Sequence, residues 1–431
     1  MPYSNTQGTR RRTVLKYTGI GALLGVAGCT DGGGNGDADD GDGGTTVGTA
    51  QKQVDTVKIG SNHPLSGPVS FNGQIAHNAV KLALDKRNEA GGIESLGGAE
   101  LELIRGDNQG EQELGGQVAE ELIDDGCVVQ TGCIVSPVTT AATSVTERNQ
   151  IPFVISVSSD RDILTGRGLN YAYRPQRHQY GQAIDYTNMV PELIRENGGE
   201  IETAGLLYVN NAFGQESAQG LKDELPKKEV EVIEEATFPF GPSDLSTQVT
   251  KLKEADPDAV VISSYLPGGQ LMAQAMKDQD YRPKYLTSVA TTTFSDESAV
   301  EEVGEFANGI TNNTAGLNAT IDRPEQVAAD FNDETGNAFN VVAALSFTTG
   351  EVIANAIEQA GSDDPEEINQ AIQNLRYEDH ILAQGPIEFQ DNGENPNALA
   401  PLLQIQDTAP HVVYPEEFAA RSFDLEALRS Q

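Results

Sequence analysis

Short β-branched runs alternate with longer amphipathic stretches along most of this chain, and the cycle is completed twice. Such alternation predicts parallel sheets covered by helices. In the first series, strands are expected at 56–60, 101–104, 127–131 and 153–155, with helices over 72–90, 112–125 and 137–149 between them. The second series predicts strands at 204–209, 230–236, 259–264 and 285–287, with helices over 214–225, 243–255 and 269–279. Ser243 is read as the N-cap of its helix.

The expected class is α/β, with two Rossmann-like lobes joined by a multi-strand hinge. Residues 54–175 with 317–381 form lobe one, and 176–316 with 382–431 form lobe two. A long helix over 324–359 returns to the first lobe, and the chain crosses between lobes near 174–180, 311–318 and 382–392. Several crossing strands make a hinge that opens and closes. Ligands of such sheets bind beyond the carboxyl ends of the strands, so the cleft between lobes is the natural pocket.

The first residues address export. Arg10, Arg11, Arg12 and Lys16 precede an uncharged stretch over 17–27, followed by Gly28 and Cys29. That stretch is far shorter than the roughly 20 residues of a spanning helix and reads as the apolar region of a signal over 1–28. The twin arginine resembles a Tat address, and Val26-Ala27-Gly28-Cys29 resembles a lipobox that exposes Cys29 for lipidation. Residues 30–50 are mostly Gly, Asp and Thr. They bury too little to offset their ordering entropy, so 29–53 is expected to be a lipidated tether. No later segment is read as apolar enough to span a membrane.

Formal net charge is −37, from 28 basic and 65 acidic residues. Repulsion from phosphates excludes nucleic acid as a partner. Molar salt shortens the Debye length to about 3 Å and silences the self-repulsion, so the composition points to a halophilic setting. Beyond Cys29 the cysteines are Cys127 and Cys133. They bracket a predicted strand that holds them farther apart than the roughly 7 Å limit of a bridge, so both are expected as buried thiols. The five histidines stand at no ligand spacing, and no metal or cofactor site is expected.

The segment 59–68, Ile-Gly-Ser-Asn-His-Pro-Leu-Ser-Gly-Pro, leads into a helix ending Asn88-Glu89-Ala90-Gly91-Gly92-Ile93. With Gln150-Ile151-Pro152-Phe153, Asn211-Ala212-Phe213-Gly214 and the run 259–278, it resembles the leucine/isoleucine/valine-binding protein family. That resemblance implies the type I periplasmic binding fold and an extracytoplasmic receptor serving an ABC permease and ATPase. Here it would be tied to the outer membrane face through its N-terminal lipid alone. It also implies a small polar ligand whose carboxylate sits on the first lobe against hydroxyls and amides.

Residue chemistry points to the same places. Ser136 is read as the cap and Pro137 as the first residue of a helix that follows a strand directly, an end that favours anions. Ser158 and Ser159 follow the next strand. By resemblance, Asn72 with Phe71 stands where the family often has tyrosine. Phe213 and Tyr265 are the second-lobe aromatics that cover the ligand, and His178 lies at the first crossing with Arg174 and Gln179. Amino-acid binders of the family place an acid after the fourth strand of the second lobe. Here the stretch 287–292 reads Thr-Ser-Val-Ala-Thr-Thr. A buried ammonium without a counter-charge is expensive. Either Asp160 or Asp296 substitutes, or the ligand is an amide, a urea-like compound or an organic acid. The rival reading is a ligand-sensing receptor with a separate signalling partner. No nucleophile, base or phosphate loop suggests catalysis.

Overall fold

The computed structural model describes residues 54–429. The signal, Cys29 with its lipobox and the Gly/Asp tether lie outside the described residues. The first cycle comprises β1 (Thr56–His63), α1 (Ser70–Glu89), β2 (Glu100–Asp107), α2 (Gln112–Asp124), β3 (Val129–Gly132), α3 (Ser136–Arg148), β4 (Phe153–Ile155) and β5 (Ala172–Tyr173). Its strands are all parallel, in the order β2-β1-β3-β4-β5.

The second cycle comprises α4 (Gln179–Glu196), β6 (Thr203–Val209), α5 (Ala212–Glu224), β7 (Glu231–Phe238), α6 (Ser246–Ala255), β8 (Ala259–Ser263), α7 (Leu266–Asp278), β9 (Tyr285–Val289), α8 (Glu297–Val303) and β10 (Thr311–Asn313). Its parallel strands run β7-β6-β8-β9-β10, the same spatial order as the first lobe. The chain then returns through α9 (Arg323–Thr335), α10 (Val341–Ala360) and α11 (Pro365–Gln373), and ends in β11 (Leu402–Gln406), β12 (Ala409–Tyr414) and α12 (Leu425–Arg429).

Burial explains why α9 to α11 belong with the first sheet. Val352, Ile353 and Ile357 of α10 are closed off against Ile59, Val129 and Val154 of the strands. Each such aliphatic side chain removed from water contributes about 1.5–3 kcal/mol. On the second sheet, Leu206, Val261 and Tyr285 pack under α4, while Leu207, Val260 and Ile262 face Met272 and Met276 of α7.

Several sequence expectations change. The helix over 324–359 is two helices, because Gly336 ends α9 in a left-handed turn (φ 71°) and Asn340 caps a fresh start. α10 is long and apolar enough to cross a membrane, yet 78% of that window is buried inside the protein, which marks a core helix. Ser243 caps nothing: α6 begins at Ser246, whose N–H donates to Asp244 (3.1 Å). The antiparallel pair β11–β12 carried no signal, since its turn places Asp407 and Thr408 at positive φ instead of the usual Asn-Gly. Cys127 and Cys133 are buried free thiols.

Three segments run between the sheets, and they are tied to one another. Arg174 bridges to Glu394 and Leu317 to Leu382 through isolated β-pairs. The Pro175 carbonyl accepts from Gln384 Nε2 (3.1 Å) and Asn395 Nδ2 (2.8 Å). Arg174 is fully buried, its guanidinium donating to both carboxylate oxygens of Glu394 (3.1 and 2.6 Å) and to the Asp160 carbonyl (2.7 Å). It therefore braces the crossing.

Candidate ligand-binding site

In each sheet the strand order reverses beside the first strand of the cycle, which opens a crevice at the carboxyl ends of β1 and β3, and of β6 and β8. The two crevices face each other across a cleft of about 720 Å³, its open mouth included. Glycines set the approach on both sides. A Cβ at Gly73 would lie 1.8 Å from the Pro64 carbonyl oxygen, and one at Gly214 would lie 2.0 Å from that of Val209. Each glycine seats a helix start directly on its strand end, and the residue before it, Asn72 or Phe213, borders the cleft.

Six of the predicted side chains meet there: Asn72, Ser136, Ser158, Ser159, Phe213 and Tyr265. Their roles differ in detail from the sequence reading. The N-cap of α3 is Val135, so Ser136 is already helical and makes no capping bond. Its hydroxyl has no partner among the described residues and is left for the cleft. The helix end itself is less anion-seeking than expected, because Pro137 has no N–H and Val138 N–H turns back to Val135 O (3.1 Å). Ser158 is committed within the protein, donating to Cys133 O (3.1 Å) beside the Thr139 hydroxyl. Ser159 donates to Gln179 Oε1 (3.1 Å), pinning the start of α4.

On the second lobe, Phe213 and Tyr265 lie ring to ring at 5.0 Å, and Phe240 meets Tyr265 edge-on at 5.4 Å. Burial pushes the Tyr265 phenol up to about 12, so it remains a donor. Thr292, Ser295 and Thr314 complete the polar wall, and Ile134, Val157, Leu345 and Leu399 supply an apolar one.

Two predicted residues stand elsewhere. Phe71 is 49% exposed, because the side chain one position before Asn72 turns off the cleft face of α1. His178 caps α4, its Nδ1 accepting from Gly181 N–H (3.0 Å), and does not border the cleft. Burial, then the neighbouring Arg174, Arg177 and Arg161, push its pKa down to about 3, so the ring stays neutral.

Neither substitute acid reaches the cleft. Asp160 accepts from Asp162 N–H (2.9 Å). Asp296 has both oxygens occupied, by Ala299 N–H (3.0 Å) and Asn340 Nδ2 (2.6 Å). At the position read as lacking its acid, Ala290 presents a methyl from a left-handed backbone (φ 51°). Among the described residues that border the cleft there is no Asp, Glu or His, and the one permanent charge, Arg177, is paired with Asp185 (3.1 and 3.2 Å). Sequence reasoning missed Gln176, Arg177 and Gln182, which lie in the first crossing and the start of α4, where no period or motif marks them.

Two lobes arranged in this way have known counterparts. The periplasmic binding protein family model matches residues 56–410. A Leu/Ile/Val-binding protein homolog of Brucella abortus is 25% identical over 376 residues, covering 84% of this chain and 91% of the relative. A leucine-binding protein from Thermotoga maritima superposes with a TM-score of 0.70 at 20% identity, covering 82% of this chain and 97% of that one. A solute-binding protein of an ABC transporter from Rhodopseudomonas palustris, in complex with 3,4-dihydroxybenzoic acid, gives 0.71 at 18% identity, covering 83% and 95%.

Proposed function

Because the chain belongs to the periplasmic binding protein family, whose members are non-enzymatic solute binders working outside the cytoplasm, we propose that it is the capturing receptor of an ABC transporter. It takes a small polar ligand into the interlobe cleft and presents it to a permease and its ATPase. Lipid on Cys29 holds it at the outer membrane face, and the acidic composition suits it to concentrated salt.

The observation that carries this reading is the meeting of two strand-end crevices around one cleft, lined by hydroxyls of both lobes and by the paired aromatic rings of the second. Such a cleft surrounds a ligand only when both lobes contribute, which couples binding to lobe position. In this reading the lobes divide as 54–175 with 317–381 and 176–316 with 382–431, the hinge being the three tied crossings. Ser136, Ser158, Ser159, Asn72, Phe213 and Tyr265 form the binding wall. Relatives support a small ligand with an apolar body: one carries a leucine-binding name and one holds 3,4-dihydroxybenzoic acid.

The test is thermal unfolding of the full chain in molar salt against a panel of amino acids, amides and small carboxylates. A true ligand at 100 times its Kd adds about 2.7 kcal/mol of stability. A panel in which nothing raises the transition would remove the proposal.

A further inference from the structure

Three side-chain amides border the cleft, Asn72, Gln176 and Gln182, which are 7%, 3% and 6% exposed. Among the described residues the carbonyl oxygen of each has no hydrogen-bond partner. For the two glutamines the orientation is fixed. Gln176 Nε2 donates to Ser158 O (3.4 Å) and Gln182 Nε2 to Arg177 O (3.1 Å). Exchanging N and O in either amide would set oxygen against a main-chain carbonyl, so in each it is the oxygen that is left unbonded, closed from solvent in this form. A buried acceptor left unmade is costly, and native proteins seldom carry a group of them at one place without a partner to come.

What such acceptors want is N–H or O–H donors. A carboxylate offers none and would meet two carbonyl oxygens. An ammonium offers three, but it would enter a wall that holds no carboxylate and does hold the Arg177 guanidinium. A neutral NH₂ offers donors without either conflict. On the same cleft, the hydroxyls of Ser136, Thr292 and Thr314 have no acceptor among the described residues and stand ready to donate to a carbonyl. One group matches both halves, since its nitrogen donates two bonds and its oxygen accepts.

Resting on the solute-binding reading, we infer that Gln176 and Gln182 are specificity-determining residues for a ligand with a neutral primary amide head, a carboxamide or urea, on an apolar body. Gln176 Oε1 and Gln182 Oε1 take its two N–H groups, and Ile134, Val157, Leu345 and Leu399 face its body. Asn72, whose side chain makes no bond among the described residues, supplements either end of the head.

Calorimetry on the full chain in molar salt tests this with probes of one skeleton: isovaleramide, isovalerate, isoamylamine and leucine. The amide is expected to bind at least 10-fold tighter than the acid, the amine or leucine. Gln182→Met and Gln176→Met, each removing one acceptor at similar volume, should weaken the amide about 10-fold and should not weaken isovalerate, which loses a repelling oxygen, with unfolding midpoints recorded to confirm folding. Gln182→Glu supplies the carboxylate that the wall lacks and should turn the preference toward isoamylamine. If isovalerate or leucine binds wild type more tightly than the amide, or if the Met variants leave amide affinity unchanged, the inference is wrong while solute binding stands. If none of these probes binds, and the wider panel raises no transition, both readings fall.

Discussion

Replacing Asn340 by alanine separates what holds the lobes together from what holds each lobe up. Asn340 caps α10, its Oδ1 accepting from Ala343 N–H (3.1 Å), while its Nδ2 donates from the first lobe to Asp296 Oδ2 of the second (2.6 Å). Asp296 in turn caps α8 through Oδ1, and the two side chains are only 5% and 3% exposed. Loss of an N-cap costs about 1 kcal/mol. That bond is made whether the lobes touch or part, so it lowers overall stability alone. A hydrogen bond to a charged group contributes about 1.5–3 kcal/mol. This one exists only while the lobes touch, so its loss moves the closing equilibrium by roughly 10- to 150-fold toward the parted form.

Small-angle scattering in molar salt reads the lobes, and urea denaturation reads the fold. Asn340→Ala should enlarge the radius of gyration and lower the urea midpoint. Asn340→Asp keeps the cap but sets two carboxylates face to face, and should part the lobes with less loss of fold. The double variant Asn340→Asp with Asp296→Asn reverses the donor and keeps both caps, so it should restore the compact profile. If Asn340→Ala scatters like wild type and the double variant is no more compact than Asn340→Asp, the bond between the lobes does not govern closure.

Further outcomes follow from other contacts. Ser136→Ala, which removes a hydroxyl with no internal partner, should weaken ligand binding while shifting stability by less than about 0.5 kcal/mol; an unchanged Kd on calorimetry would take Ser136 off the binding wall. Arg174→Met strands Glu394 at the crossing and should destabilise by about 3–5 kcal/mol in urea titrations, and a loss under 1 kcal/mol would deny the brace. Glu216 of α5 accepts from Arg161 N–H of the first lobe (2.7 Å) beside Asp160, Arg161 and Arg174. Burial, and then the nearby Asp160, raise its pKa to about 8, so the folded protein holds a proton that the unfolded chain releases near 4.5. Its contribution is therefore full below pH 4.5 and is lost as pH rises through about 8. Glu216→Gln should flatten stability across that window, and an unaltered slope would show that another group titrates there.

Much of the architecture was legible before any coordinates. A period of short aliphatic runs and amphipathic stretches gave every strand of both parallel cores except β5 and β10, because a central strand is aliphatic throughout and the edge strands β2 and β7 alternate buried with exposed residues over part of their length. Exceptions arose where local chemistry was ordinary. Asp407 and Thr408 turn a hairpin without the residues that announce one, and 336–340 divides the predicted helix between a polar, one-faced α9 and an apolar α10. In the site, hydroxyls and aromatics that follow strands could be placed, since strand ends define the crevice. Gln176 and Gln182 could not, for a glutamine in a crossing segment becomes an orphaned acceptor only when its own nitrogen is consumed by a carbonyl nearby.

The amino-acid order alone determined the two repeated βα cycles, the acidic surface and the absence of a carboxylate after β9, because each is a property of residues along the chain. Which helices return to the first sheet, that Asp160 and Asp296 are engaged elsewhere, that Ser136 is free of capping and that three amide oxygens at the cleft lack partners among the described residues were decided only by tertiary packing. A polar atom's availability depends on every group within about 3 Å of it, and sequence distance does not record which groups those are.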